Sequence, residues 1–196
     1  MTTKILDNTV ISASIKEITC LDFIERCSKI YPVETSLEVF RETERGFNKI
    51  TTNKRFRCIR VIDLRHHGQY RSLLNYMKNR YPYLHDGEIS SFLLALLEYE
   101  KRNKEYYYVT DDQSMKKVVT NLKNDNLFYQ NSGFMISRFF ITGTIGLLRR
   151  LLDKGVISKK EIEDIIKDLR NSSFYLTTDL INYLRGWWIE TKCEIR

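Results

Sequence analysis

The stretch ILDNTVIS, residues 5–12, places an acidic residue directly after a short apolar run. We interpret TKILDNTVI, residues 3–11, as a β-strand that delivers Asp7 to a strand end. Asn8 and Thr9 follow and supply polar groups that can hold a carboxylate still. Asp7 therefore either caps a turn or belongs to a charged site assembled from distant parts of the chain.

Short β-rich runs alternate with longer helical patterns along the rest of the chain. The further predicted strands are IYPV (30–33), FRCIRVIDL (56–64), YYYVT (106–110) and SRFFIT (137–142). The predicted helices are TCLDFIERCSKI (19–30), TSLEVFRETERGF (35–47), YRSLLNYMKNRY (70–81), GEISSFLLALLEYEKRN (87–103), QSMKKVVTNLK (113–123), GTIGLLRRLLDKG (143–155), SKKEIEDIIKDLR (158–170) and TTDLINYLRGWW (177–188). This alternation predicts an α/β fold, a three-layer α/β/α sandwich with a mostly parallel sheet of four to five strands. NDNLFYQNSGFM, residues 124–135, has no clear period and indicates a long loop or an inserted flap.

Length and composition favour one domain. A chain of 196 residues with 42% hydrophobic residues can bury one full core, so we expect a single domain over 1–196 with C-terminal helices at about 158–188 packed on it. No apolar run reaches the roughly 18 to 20 residues of a membrane helix, and no signal region precedes the first strand, so we expect a cytoplasmic protein without a membrane partner. The four cysteines lack CxxC spacing, which favours reduced thiols over a zinc site.

The positive charge is concentrated in one part of the chain. The formal net charge is +7, and the segment from Arg41 to Arg80 contains eleven Lys or Arg residues against three acids. Such a segment indicates a polyanionic partner such as nucleic acid, and charge solvated on helices and loops is the alternative.

Further acidic residues lie where predicted helices begin. Glu38 follows Thr35 by three residues, the spacing of a capping box, so we interpret Glu38 as a helix-cap partner. Glu42 lies one turn later on the same helix face and has no such local role. Asp86 and Glu88 open another helix, where acids also favour the helix dipole.

Asp111 and Asp112 follow the strand YYYVT, and both cannot cap the next helix. Acids at strand ends and helix starts of a parallel sheet converge on one edge, where they repel and raise one another's pKa. A hard divalent cation such as Mg²⁺ or Mn²⁺ relieves this repulsion and suits a site made of carboxylates. Such ions activate water in many nucleases.

Five stretches resemble the PIN-domain nucleases, the group that includes the VapC-like toxins. They are ILDNTVIS, SLEVFRE, DGEISSFLLALL, YVTDDQSMKKV and ITGTIGLLRRLLDKGVISKKEIEDIIKDLRNSSFYLTTDLI, the last similar to a subgroup with a TGT-I-G-LL turn. The resemblance covers about residues 5–185. The link at 121–139 is longer than in that subgroup, and substrate access is expected to differ there.

The resemblance implies a Mg²⁺- or Mn²⁺-dependent endoribonuclease that acts on RNA, a possible toxin with an antitoxin partner, and a homodimer. Carried over by position, the catalytic and metal-binding acids are Asp7, Glu42, Glu88 and one of Asp112 and Asp111. The Thr-x-Asp pattern that begins at Thr110 favours Asp112. The supporting residues around these acids are Asn8, Thr9, Thr110 and Asp86.

Other interpretations stay open at this point. The chain is alternatively a non-catalytic PIN-like module that binds RNA or protein, or a receiver-like fold with Asp63 as phospho-acceptor. We interpret His66 and His67 as part of a solvated loop and not as a metal site. The side chains of adjacent residues point apart, and no other ligand nearby completes such a site. We expect Trp187 and Trp188 to pack in the core or at a dimer interface, and stacking on bases is the alternative.

Overall fold

The central feature of the fold is a five-stranded, entirely parallel sheet with strand order β3-β2-β1-β4-β5. The strands are β1 (Thr3–Leu6), β2 (Val33–Ser36), β3 (Arg60–Ile62), β4 (Tyr106–Val109) and β5 (Ile141–Thr142). The computed structural model describes residues 2–123, 125–133, 136 and 139–186. The predicted α/β fold with a parallel sheet of four to five strands is confirmed.

Helices connect the strands and continue after the last one. The α-helices in the described residues are α1 (Asn8–Lys16), α2 (Phe23–Ser28), α3 (Leu37–Gly46), α4 (Lys49–Phe56), α5 (Tyr70–Arg80), α6 (Asp86–Leu94), α7 (Gln113–Leu122), α8 (Asn126–Ser132), α9 (Thr144–Asp153), α10 (Lys159–Arg170) and α11 (Thr178–Arg185). The chain of α6 continues through a π-helical turn at Ala95–Tyr99 and a 3₁₀ turn at Glu100–Arg102. Within the described residues, no helix has both the length and the apolar character needed to span a bilayer.

The strands separate two apolar cores, because successive side chains of a strand point to opposite faces. Ile5 belongs to the core that contains α5, α6 and α7, whereas Leu6 belongs to the core that contains α1, α9 and α10. Tyr108 and Val109 of β4 divide in the same way. The two cores define three layers, with helices on both faces of the sheet.

The order of the strands fixes where a site can form. β1 pairs with β2 on one side and with β4 on the other, and Leu6 lies opposite Val109 at the carboxyl ends of these two strands. The strands β1, β2 and β3 follow one another towards one edge of the sheet, whereas β4 and β5 are added on the other side of β1. The strand order therefore reverses between β1 and β4, and ligands of open parallel sheets bind at such a point. The residues that follow β1 and β4 therefore meet at this crevice.

Several predicted boundaries are wrong. The first strand ends at Leu6, because Asp7 accepts a hydrogen bond from the Asn8 N–H and acts as the N-cap of α1. The expected loop at 124–135 contains α8, whose N-cap is Asp125, and α4 lies in a segment where we predicted no element. Trp187 and Trp188 lie outside the described residues.

Candidate functional site

Asp7 is fully buried at the carboxyl end of β1. Its Oδ1 accepts from the Asn8 N–H at 2.7 Å and lies 3.3 Å from the Ser91 hydroxyl, and its Oδ2 accepts from Thr110 Oγ1 at 2.8 Å and Thr9 Oγ1 at 3.1 Å. Burial raises the pKa of Asp7 to about 6, although the hydrogen bonds from Thr110, Asn8 and Thr9 oppose the shift and the charge of Asp112 adds to it. The carboxylate is thus held in one orientation in a place that disfavours its charge.

Two threonine hydroxyls join Asp7 to the turn after β4. Thr110 Oγ1 donates to Asp7 and accepts from the Asp112 N–H at 3.1 Å. Thr9 Oγ1 donates to Asp7 and accepts from the Asp111 N–H at 3.0 Å. Each hydroxyl can do both because it has one donor and two acceptor positions. The ends of β1 and β4 are therefore fixed to each other by side chains as well as by the sheet.

Glu88 lies in the first turn of α6, which packs over this crevice. Its Oε2 accepts from the His85 N–H at 3.0 Å in a capping box. Partial burial, followed by the charges of Asp7 and Asp112, raises the pKa of Glu88 to about 7. Glu88 therefore lies within electrostatic reach of both other carboxylates.

Asp111 and Asp112 have different surroundings. Asp112 caps α7 by accepting from the Met115 N–H, and its charge acts on Asp7 and Glu88. Asp111 instead accepts from the Thr144 N–H at 2.9 Å and from the Thr144 hydroxyl at the start of α9. Asp112 is therefore the better candidate for a charged site, and it serves as a helix cap at the same time.

Glu42 reaches the same region from α3 but binds backbone. Its Oε1 accepts from the Gly87 N–H at 2.7 Å, next to Glu88 in the first turn of α6. A Cβ at position 87 would lie only 2.1 Å from Glu42 Oε2, so glycine is the residue that allows this contact. No hydrogen bond joins Glu42 to Asp7 among the described residues.

Asn8 and Asp86 are both expected to support the acids, and the structure places them differently. Asn8 supports Asp7 through its backbone N–H, while its side-chain oxygen accepts from Thr43 of α3 at 2.9 Å. Asp86 is exposed and pairs with Lys78 of α5 at 2.7 Å. The structure therefore brings Asn8 to Asp7 and directs Asp86 towards α5.

The interpretation of Glu38 as a helix-cap partner is wrong. α3 begins after Ser36, which accepts from the Val39 N–H, because Thr35 still belongs to β2 and donates to the Leu6 carbonyl. Glu38 Oε2 is buried without a hydrogen-bond partner.

Ser91 and Tyr108 contribute to the site and were not singled out in the sequence. The Ser91 hydroxyl donates to Asp7 and lies 3.2 Å from the Tyr108 hydroxyl, which is completely buried. Ser91 follows Glu88 by three residues and therefore lies on the same helix face, a spacing that identifies it in retrospect. Tyr108 carries no such signal, because tyrosine is an ordinary strand residue.

The carboxylates suit a divalent cation by their chemistry. Asp7, Glu88 and Asp112 offer only oxygen donors. Burial, and then the charge of Asp112, raise the pKa of both Asp7 and Glu88. Mg²⁺ and Mn²⁺ prefer such ligands and compensate such charge. Among the described residues, no group of three or more His, Cys, Asp or Glu side chains is already arranged to hold a metal. Binding would therefore require these side chains to exchange some internal hydrogen bonds for the ion.

The basic segment between residues 41 and 80 is largely paired in the fold. Six of its eleven cations form ion pairs, and these are Arg41, Arg55, Arg60, Arg65, Lys78 and Arg80. The exposed cations of the segment for which the described structure contains no ion pair are Arg45, Lys49, Lys54, Arg57 and Arg71. The surface available to a polyanion is thus smaller than the sequence indicates.

The site unites residues that are far apart in the chain, from the ends of β1 and β4 and the start of α6. Asp7, Glu88 and Asp112 interact there, while Glu42 and Asp111 bind backbone at two neighbouring helix starts. The resemblance to PIN-domain nucleases stays a prediction. Comparisons of the chain with models of protein families, with curated proteins and with solved structures found no match.

Proposed function

We propose that the protein is a metal-dependent endoribonuclease that hydrolyses phosphodiester bonds of RNA at the carboxylates of Asp7, Glu88 and Asp112. The observation that carries the proposal is that these three acids interact at the crevice where strand order reverses. All three acids also take part in helix caps, but capping does not require carboxylates whose pKa burial and neighbouring charges raise, as they do at Asp7 and Glu88. Perturbed acids in a crevice are characteristic of catalytic sites.

The residues of the site would have separate roles in metal binding and in positioning the carboxylates. Asp7, Glu88 and Asp112 would hold one or two Mg²⁺ or Mn²⁺ ions, which, when bound, make water a better nucleophile and stabilise the charge of the reacting phosphate. Thr9 and Thr110 fix the Asp7 carboxylate through their hydroxyls. Glu88, whose pKa is raised by burial and by the charges of Asp7 and Asp112 in the metal-free protein, would bind the ion in its deprotonated form.

RNA as the substrate rests on the positive charge of the chain and on the resemblance. Lys49 and Lys54 of α4 are exposed, the described structure contains no ion pair for them, and they can bind phosphates. The antitoxin partner and the homodimer are expectations of the resemblance alone, and they belong to this proposal only as possible partners.

Asp7→Asn is the direct test, with Mn²⁺-dependent cleavage of a single-stranded RNA as the measurement. Loss of the carboxylate charge should lower the cleavage rate by at least a hundredfold, because the change removes a proposed metal ligand from a buried site. Glu44→Gln, on the exposed side of α3, is the matched control and should cleave at the wild-type rate. Undiminished cleavage by Asp7→Asn would contradict the proposal.

A non-catalytic RNA- or protein-binding module is the second candidate, and one observation favours it. All four groups around Asp7 already donate to its oxygens, as in a structural carboxylate. Calorimetric titration with Mn²⁺ separates the two candidates. Binding that is present in the wild type and absent in Asp7→Asn supports the nuclease, and no binding up to millimolar Mn²⁺ supports the module.

A further inference from the structure

A groove of about 690 Å³ opens beside the candidate acidic site. Its lining includes Asn8, Thr9 and Asp111, and the loop between α10 and α11 contributes Phe174 and Tyr175. Asn8 and Thr9 donate to Asp7, and the Asp111 N–H donates to Thr9, so the groove adjoins the acidic site. A substrate bound across the acids would therefore extend into it.

The lining of the groove fits a flat, neutral, hydrogen-bonding group better than a phosphate. Phe174, Tyr175 and Tyr183 all line the groove, and Tyr175 is 81% exposed. Lys116 is accompanied by Glu17 and Asp111, so the described groove has no excess of positive charge. A phosphate would meet two carboxylates and one ammonium group there, which disfavours its binding.

Glu17 joins the loop between α10 and α11 to the end of α1 beside the groove. Its Oε1 accepts from the Ser173 hydroxyl at 3.1 Å, while its Oε2 has almost no accessible surface and does not meet a ligand in the groove. The lining also contains Gln113, whose exposed side-chain amide offers both a donor and an acceptor. Every nucleobase combines a flat face for stacking with polar groups at its edge.

Gly143 and Gly146 let two polar side chains of the groove lie close to the backbone. A Cβ at Gly146 would lie 2.1 Å from Thr142 Oγ1, and one at Gly143 would lie 2.5 Å from Asp111 Oδ1. Larger residues at these two positions would therefore displace Thr142 and Asp111 from the lining of the groove.

We propose that this groove binds one nucleobase of a single-stranded RNA, on the nucleotide next to the phosphate at the acidic site. Tyr175 stacks on the base, and the Gln113 amide forms hydrogen bonds with its edge. The proposal rests on the function proposed above, because it assumes that RNA lies across Asp7. It adds a binding site for a base to a site that acts on the backbone.

Binding of a fluorescein-labelled single-stranded RNA, measured by anisotropy with excess EDTA, tests the groove separately from cleavage. Tyr175→Ala should weaken binding about tenfold, within the range found for a lost base–aromatic stack. Tyr175→Phe keeps the ring and should restore wild-type affinity. Tyr129→Ala, which removes a tyrosine that is 51% exposed elsewhere, is the control and should have no effect.

An oligomer of the same length with abasic nucleotides shows whether the ring recognises a base. Its affinity should be equal for wild type and Tyr175→Ala, because only the sugar and phosphate contacts remain. Equal affinity of both proteins for the normal RNA would overturn the base site, even if Mn²⁺-dependent cleavage is intact. RNA binding that depends on Tyr175 without any cleavage would support the base site and contradict the nuclease.

Discussion

At the scale of single residues, Glu88 is the clearest case of a charge in an unfavourable place. Its pKa rises from 4.5 to about 7, first because of burial and then because of Asp7 and Asp112. Between these two pH values the folded protein retains a proton that the unfolded chain has lost. Stability contributed by protonated Glu88 is therefore lost as the pH rises from about 4.5 to 7, and Asp7 acts in the same sense up to about pH 6.

Glu88→Gln should consequently stabilise the metal-free protein at pH 8. Glutamine keeps the capping-box hydrogen bond to the His85 N–H and removes the charge. Allowing for solvent screening at this partly buried position, we expect a gain on the order of 1 kcal/mol, or about 2–4 °C in the melting temperature. Thermal melting in EDTA at pH 8 and pH 5 measures the effect, and the gain should shrink at pH 5.

Glu44→Gln, on the exposed surface of α3, is the control for this prediction and should melt like the wild type at both pH values. A Glu88→Gln protein that is less stable than the wild type at pH 8 would show that the carboxylate of Glu88 stabilises the fold instead of opposing it.

At the scale of elements, α9 depends on a cap from another part of the chain. Its N-cap residue is Gly143, which has no side chain to accept from the first turn. Asp111 supplies the missing acceptor, because its carboxylate binds the Thr144 N–H and hydroxyl. The carboxylate also lies at the positive end of the helix dipole. Asp111 thereby connects the turn after β4 to α9.

Asp111→Ala should therefore lower the free energy of unfolding by about 1–2 kcal/mol, as loss of a helix cap does. Urea denaturation at pH 7.5 measures the change. Asp164→Ala, a change within α10 that removes a surface ion pair with Lys167 and no helix cap, is the control and should cost less than about 0.5 kcal/mol. Equal stability of the two variants would contradict a capping role for Asp111.

At the scale of the whole molecule, the positive charge left after internal pairing decides how a polyanion can bind. The exposed helix α4 contributes Lys49 and Lys54, for which the described structure contains no ion pair. Each phosphate contact to a single strand adds roughly 0.7 to the slope of log affinity against log salt concentration. These two cations therefore make RNA binding salt-dependent if they contact phosphates.

The double variant Lys49→Ala/Lys54→Ala should reduce this slope by roughly 1.4. Fluorescence anisotropy of labelled single-stranded RNA over a series of salt concentrations measures it. Lys159→Ala/Lys160→Ala removes the same charge from the exposed start of α10 and should leave the slope unchanged. Equal slopes for both double variants would show that RNA binds a different surface.

Much of the architecture follows from local patterns in the sequence. Apolar periodicity and the alternation of strands and helices predicted the parallel sheet, because each element must bury one face against its neighbours. The same reasoning predicted that Asp7, Glu88 and the Asp111–Asp112 pair lie at one edge of the sheet. It missed α8, whose seven residues are too short to show a clear helical period.

The sequence by itself determined the class of fold and the acids that lie at strand ends and helix starts, since both depend on patterns within short segments. Only the tertiary structure decided what each acid binds: Asp112 caps α7 while its charge acts on Asp7 and Glu88, Asp111 caps α9, and Glu42 accepts from Gly87. The physical reason is that a carboxylate's hydrogen bonds and pKa depend on burial and on partners from distant segments. Those partners are brought near by the order of the strands, which no local pattern encodes.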